Sequence, residues 1–307
     1  MRTPTRVAAG ITDLVGNTPL VRVRLFEPRR PELEVQAKAE WFNPGGSVKD
    51  RAALAMIEDG ERRGLLASGR TIIDSTSGNT GVAYALVGAA RGHRVLLVMP
   101  ANVSEERKQL VTAYGAEIVY SDPMEGSDGA IRLCRQMVAE DPARFFYPDQ
   151  YNNPANSLAH YRTTAGEILE QTHGRITHFV AGLGTTGTFT GTARRLKEHD
   201  PTIRTIAVQP EDAFHGLEGL KHLPSSIVPG IWDSGLADEV WGAPTEAAYE
   251  LAREMAKREG LLVGHSSGAV LWAIRRLAEQ VETGVVVTVF PDGGDRYLST
   301  GLYRRPA

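Results

Sequence analysis

Two kinds of apolar run alternate along most of the chain. Short runs rich in β-branched residues are "TIIDS" (71–75), "RVLLVMP" (94–100), "AEIVYS" (116–121), "ITHFVAGLG" (176–184), "IRTIAVQP" (203–210) and "GVVVTVFPDGG" (284–294). Between them lie longer, helix-like runs such as "GVAYALVGAARG" (81–92), "SEERKQLVTAYG" (104–115) and "TGTARRLKEHD" (190–200). A strand with little polar alternation is buried on both faces, and strand–helix alternation supplies the helices that cover them. The pattern predicts an α/β fold with parallel sheets. Ser104 followed by Glu105 and Glu106 predicts a capped helix start, and Gly115 a helix stop. Two segments break the pattern and are expected domain crossings: the Pro- and Asn-rich "YPDQYNNPAN" (147–156) and the "NPGG" that follows Ala39 and Phe42.

Two Gly/Thr-rich loops sit between a strand and a helix, "STSGNTG" (75–81) and "GLGTTGT" (182–188). Each offers backbone N–H groups at a helix N-terminus, where the helix dipole favours an anion. Hydroxyls add donors without adding charge. Two such loops suggest two anionic groups, or one ligand with two anionic ends. The second loop also spells Gly182-x-Gly184-x-x-Gly187, a dinucleotide fingerprint. A Rossmann site wants an acidic residue about 20 positions on, at the end of the next strand. That strand ends in Gln209 and Pro210, and Asp212 lies beyond it. A phosphate cradle without a ribose partner fits better, with a nicotinamide dehydrogenase as the alternative.

Composition narrows the field. The chain has 307 residues, enough for about two domains. Its net charge of −3 gives no electrostatic case for nucleic acid. No apolar run approaches the roughly 20 residues of a membrane helix, and the N-terminus lacks a signal-like apolar core. With Cys134 as the one cysteine, neither a disulfide nor a cysteine metal cluster can form, and a cytoplasmic protein without a metal is expected.

Lys49 is the remaining candidate. It follows Gly45, Gly46 and Ser47 and precedes Asp50 and Arg51 in "WFNPGGSVKDRAAL". A lysine amine can form a Schiff base with the aldehyde of pyridoxal phosphate (PLP), a cofactor that needs a phosphate loop and a partner for its ring nitrogen as well. The bare backbone at Gly45 and Gly46 is expected to let the flat ring approach.

"NPGGSVKDR", "STSGNTG", "PANVSEER", "QYNNPAN", "GLGTTGT", "GHSSGA" and "DRYLST" occur in one order between residues 14 and 303. In this the chain resembles the cysteine synthase / cystathionine β-synthase family of fold-type II PLP enzymes. The resemblance implies two domains, each with a mainly parallel twisted sheet flanked by helices. Residues 1–42 and 151–307 would form a larger PLP-binding domain, and 43–150 a smaller, mobile domain that closes over substrate. By the same resemblance, Lys49 holds the cofactor and later moves the substrate α-proton. Asn79 bonds the ring hydroxyl. Gly184, Thr185, Thr186, Gly187 and Thr188 hold the phosphate, and Ser266 meets the pyridine nitrogen. Thr76, Ser77, Gly78 and Thr80, helped by Gln150, grip the substrate carboxylate. A serine rather than an aspartate at the ring nitrogen makes a moderate electron sink, suited to β-replacement through an α-aminoacrylate. Asp292 is expected to be a loop cap, and His160, Cys134 and the other histidines to be core or surface residues.

The implied reaction makes L-cysteine from O-acetylserine or O-phosphoserine and a sulfur donor. The segment "HGLEGLKHLPSSIVPGIWD" (215–233) places Lys221 and His222 where ordinary O-acetylserine sulfhydrylases carry small residues. This is similar to the cysteine synthase B branch, whose phosphoserine-using members read the extra anion with a cation near this position. Lys221 either does so as a point charge or sits on a solvated loop. The chain stops soon after "STGLY", so neither a long C-terminal tail nor a C-terminal regulatory domain is expected, and no N-terminal haem extension. A homodimer is expected from the resemblance. The alternatives are a cystathionine β-synthase-type condensation of serine with homocysteine, and a non-catalytic partner protein on the same scaffold.

Overall fold

The structure, a computed structural model, describes residues 7–67, 69–76 and 78–304. It comprises two compact units. The larger begins with strand β1 (Leu20–Val23) paired antiparallel to β2 (Leu33–Ala39). The chain then builds the smaller unit: α1 (Lys49–Arg62), β3 (Thr71–Ser75), α2 (Asn79–Arg91), β4 (Val95–Pro100), α3 (Glu105–Ala113), β5 (Glu117–Ser121), α4 (Gly126–Glu140) and β6 (Phe145–Phe146). It returns to the larger unit with α5 (Pro154–Arg162), α6 (Thr164–Gln171), β7 (His178–Gly182), α7 (Gly187–His199), β8 (Arg204–Pro210), β9 (Glu239–Ala243), α8 (Thr245–Glu259), α9 (His265–Gln280) and β10 (Gly284–Phe290). The crossings fall after Asn17, Phe42, Gly45, Val48 and Pro148. The segment ending at Asn17 groups with the smaller unit, whereas the family resemblance assigns residues 1–42 to the larger. A short 3₁₀ turn, Ile11–Leu14, lies against α2, and Gly16 N–H donates to Asn43 Oδ1 at 2.8 Å.

Both sheets are wound the same way. In the smaller unit the order is β5-β4-β3-β6, all parallel. The chain adds β4 and β5 on one side of β3, then returns to place β6 on the other. In the larger unit the order is β1-β2-β10-β7-β8-β9, parallel except for β1. Here β8 and β9 are added on one side of β7, and β10 returns to its other side. The winding therefore reverses at β3 and at β7. Ligands of such sheets bind at the C-terminal strand ends where this reversal occurs. The two Gly/Thr-rich loops leave those two strand ends.

The near-continuous apolar strands are explained by two cores. In the larger sheet Val180, Ile206, Val208 and Val286 pack with Leu251 and Met255 of α8 and Ile274 of α9. Their neighbours Phe179, Ala181, Ala207, Val285 and Val287 pack on the opposite face with Ile168 of α6 and Phe189 of α7. In the smaller sheet Cys134 of α4 packs on Ile73, Leu96 and Val98, as a small hydrophobe. On the other face a β-carbon at Gly88 of α2 would lie 2.4 Å from Val95 Cγ2, so glycine sets that close approach. Ser104 stands at the α3 N-cap, but its side chain makes no capping bond; Glu105 and Glu106 complement the dipole from the first turn. Among the described residues no helix is long and apolar enough to cross a membrane.

Lys38 is among the fully enclosed ionisable side chains. Lys38 of β2 is 0% exposed, and its Nζ donates to Glu167 Oε2 (2.6 Å), Thr18 O (2.6 Å) and Gln171 Oε1 (3.0 Å). Removing one partner of a buried pair strands the other, at about 3 kcal/mol or more. Lys38→Met should lower unfolding stability by about that much in denaturant titration. A loss within the few tenths typical of surface changes would show the pair to be dispensable.

Candidate active site

Lys49 is the first residue of α1 and is half-buried. The residues just before it belong to the larger unit, where Val48 N–H donates to Pro291 O (2.8 Å) and Ser47 bridges to Asp292. The glycines here make room for close contacts within the protein. Gly45 N–H donates to the buried Asp50 carboxylate, and a β-carbon on Gly45 would lie 2.4 Å from Asp50 Oδ1. Gly46 has φ +75, and its bare face is filled by the Arg296 guanidinium. Protein groups therefore occupy the side of each glycine where a β-carbon would stand.

The smaller unit's loop is built on a buried acid. Asp74, at the end of β3, accepts from Ser75 N–H (2.7 Å) and from the Tyr84 hydroxyl (2.8 Å). Thr76 Oγ1 accepts from the N–H groups of Gly78 (3.3 Å) and Gly81 (3.2 Å), so it caps α2. Asn79 and Thr80 are the first two residues of α2, and Gly78 precedes them. Ser77 lies outside the described residues. Lys49 and Asn79 thus open two helices, α1 and α2, that pack on each other.

In the larger unit the loop after β7 has the form of an anion cradle. Thr186 stands at the N-cap of α7 with φ +69, and Gly187 is the first helical residue. Thr186 Oγ1 is buried and has no hydrogen-bond partner among the described residues. A buried hydroxyl without a partner costs about 1–3 kcal/mol, so a ligand oxygen belongs beside it. The backbone leaves no room for side chains around it. A β-carbon at Gly184 would lie 2.3 Å from Gly219 O, and one at Gly187 would lie 2.0 Å from Asn156 Oδ1. These residues fit a phosphate at a helix N-terminus.

Two further side chains stand behind this loop, Asn156 at the end of "QYNNPAN" and His160, and neither is among the predicted site residues. Asn156 and His160 are one turn apart on α5. Asn156 Nδ2 donates to Gln150 O (2.7 Å) and Thr185 Oγ1 (3.1 Å). His160 is 1% exposed, and its ring nitrogens meet Thr164 Oγ1 (2.9 Å) and Thr188 Oγ1 (3.3 Å). His160 is therefore a buried, hydrogen-bonded core histidine, as expected, and one of its partners is the cradle residue Thr188.

Ser266 is the second residue of α9 and is buried. It follows Val263, which bridges to Gly293 just beyond β10. Cradle and serine thus stand at the C-terminal ends of the neighbouring parallel strands β7 and β10. Asp292 accepts from the Tyr297 hydroxyl at 2.5 Å. Lys221 is not on a solvated loop. It is 9% exposed, its Nζ lies 5.0 Å from the centre of the Tyr151 ring, and its N–H donates to Leu183 O (2.8 Å) beside the cradle.

The larger unit carries a loop that fits a phosphate at its reversal strand β7, and in the smaller unit Lys49 opens helix α1. The chain belongs to the family of pyridoxal-phosphate dependent enzymes, whose pattern matches residues 11–292. It is 56% identical over 299 residues to the cysteine synthase of Aquifex aeolicus, across 95% of this chain and 91% of that one. It is 43% identical over 293 residues to cysteine synthase B of Escherichia coli, across 95% of each chain. Among solved structures, a cysteine synthase (OASS) from Entamoeba histolytica superposes with a TM-score of 0.94 at 35% identity, over 100% of this chain and 94% of that one.

Proposed function

We propose that this enzyme makes L-cysteine by β-replacement on an activated serine, with a sulfur donor as second substrate. The observation that carries the reading is the buried, partnerless Thr186 hydroxyl within a cradle closed by Gly184 and Gly187. Bound PLP would supply an electron sink for the substrate Cα, which lets a β-substituent leave and a sulfur nucleophile take its place.

The protein's own groups do the rest. Gly184, Thr185, Thr186, Gly187 and Thr188 hold the phosphate. Asn79 positions the ring through its hydroxyl, and Ser266 bonds the ring nitrogen without fixing a proton there. Lys49 Nζ anchors the cofactor and takes the proton from Cα. Thr76, Ser77, Gly78, Thr80 and Gln150 hold the substrate carboxylate, and closure of the smaller unit keeps water out. A homodimer and a cytoplasmic location are part of the same proposal, and sedimentation velocity tests the first.

Lys221 sets the choice of serine derivative. Its burial beside the cradle supports a role as the point charge that reads a phosphate leaving group. The test is a spectral titration of the PLP-loaded enzyme with O-acetylserine and O-phosphoserine, in wild type and Lys221→Ala. The variant should lose O-phosphoserine affinity about tenfold or more, the scale of a hydrogen bond to a charged group, and keep O-acetylserine. Equal loss for both, or none, would overturn this role. A wild type that responds to neither would overturn the reaction itself.

A further inference from the structure

The segment after β10 is tied back, residue by residue, to the stretch that launches α9. The Tyr303 hydroxyl accepts from Val263 N–H (3.0 Å) and donates to the carbonyl of the same residue (2.5 Å). One side chain thus engages both backbone groups of Val263. Beside it Gly294 N–H donates to Leu262 O at 3.0 Å. The fit needs glycine there, because a β-carbon on Gly294 would lie 2.7 Å from the Tyr303 ring and 2.8 Å from Val263 O. Arg253 of α8 donates from Nε to Leu302 O (2.6 Å), which fixes the residue before Tyr303.

The next two residues are held as well. A β-carbon on Gly264 would lie 2.0 Å from Asp292 Oδ1 and 2.7 Å from the Tyr297 ring. His265 sits between Tyr297 and Tyr249, with ring centres 4.4 Å and 5.1 Å away. Thr300 Oγ1 donates to Tyr297 O (2.8 Å), so its oxygen accepts from His265 Nε2 (3.4 Å). Ser266 comes next, with three consecutive anchored residues ahead of it. Burial raises the Tyr303 phenol to about 12, so it remains a donor at any ordinary working pH.

We propose that Tyr303 is a positioning residue for Ser266: by gripping both backbone groups of Val263, it fixes where the Ser266 hydroxyl stands toward the ring nitrogen of the cofactor. This rests on the ring-nitrogen role given to Ser266 above. Tyr303→Phe keeps the ring against Gly294 and removes both bonds. The test compares PLP-loaded wild type, Tyr303→Phe, Ser266→Ala and the double variant by visible circular dichroism of the bound cofactor, with Tm of the cofactor-free protein measured alongside.

Tyr303→Phe should shift the visible band in the same direction as Ser266→Ala. The double variant should match Ser266→Ala alone, because the tyrosine would act through the serine. Additive shifts, or a lowered Tm with an unchanged band, would overturn the proposal. A silent Ser266→Ala would overturn the ring-nitrogen role and the clamp together. A responsive Ser266→Ala beside a silent Tyr303→Phe would overturn the clamp alone. Should Tyr303→Phe fail to fold, Arg253→Gln releases the Leu302 carbonyl and enters the same cycle.

Discussion

Lys49→Ala should abolish turnover, by about a thousandfold or more, while leaving the protein folded. The expectation follows from what the side chain is asked to do and from what it does not hold up. In the proposed function it anchors the cofactor and moves the Cα proton, and no neighbour in its helix turn can replace it. Asp50 is engaged by Gly45, and Arg51 is buried. Structurally the position is forgiving. Lys49 is half-buried at a helix start, where alanine is an acceptable residue. Borohydride treatment followed by peptide mass spectrometry should find the cofactor on the Lys49 peptide in wild type and on no peptide in the variant. Thermal unfolding of the cofactor-free proteins should differ little. Retained turnover, or a cofactor fixed to another lysine, would sink the assignment and reopen the dehydrogenase reading of Gly182-x-Gly184-x-x-Gly187.

Much of this was legible because it is local. The strands at 71–75 and 204–210, the helix that Gly115 stops with φ +84, and the two loops at strand ends all follow from short stretches of chain. The crossing at Pro148–Asp149 falls within the Pro/Asn-rich stretch singled out for its composition. What escaped was set by partners far away in sequence. That Gly46 also makes room for the Arg296 guanidinium depends on a residue 250 positions away. Lys221 lies among polar loop residues, and its burial depends on Tyr151 and Leu183. Asn156 closes "QYNNPAN" and His160 follows one turn on, but their reach to Thr185 and Thr188 is set by partners far along the chain. The segment ending at Asn17 is too short to carry a pattern, and one turn against α2 decides where it belongs.

The cradle offers the second large effect. Gly184→Ala should weaken PLP binding at least about tenfold, because the atom in the way is backbone and cannot rotate aside. A new β-carbon would meet Gly219 O at 2.3 Å. At Gly187 the obstacle is the Asn156 amide, a side chain with some freedom. Neither backbone around Gly184 can easily retreat. Leu183 N–H is bonded to Val208 O (2.8 Å), Leu183 O accepts from Lys221 N–H (2.8 Å), and a β-carbon at Gly182 would already press on Leu220. Gly219 itself has φ +88, so its own conformation is constrained. Relief requires moving the loop by about an ångström, and such overpacking costs about 1–3 kcal/mol. In the proposed function the loop also carries the N–H donors for the phosphate, so the displacement would fall on the binding geometry. Gly166→Ala is the matched control: it lies inside α6 with nothing within 4 Å, and should be neutral or stabilising by about 0.5–1 kcal/mol. Fluorescence titration of the cofactor-free proteins with PLP reads the affinity, and calorimetry reads the Tm. A Gly184→Ala protein that binds PLP as wild type does would show that the phosphate does not sit in this loop.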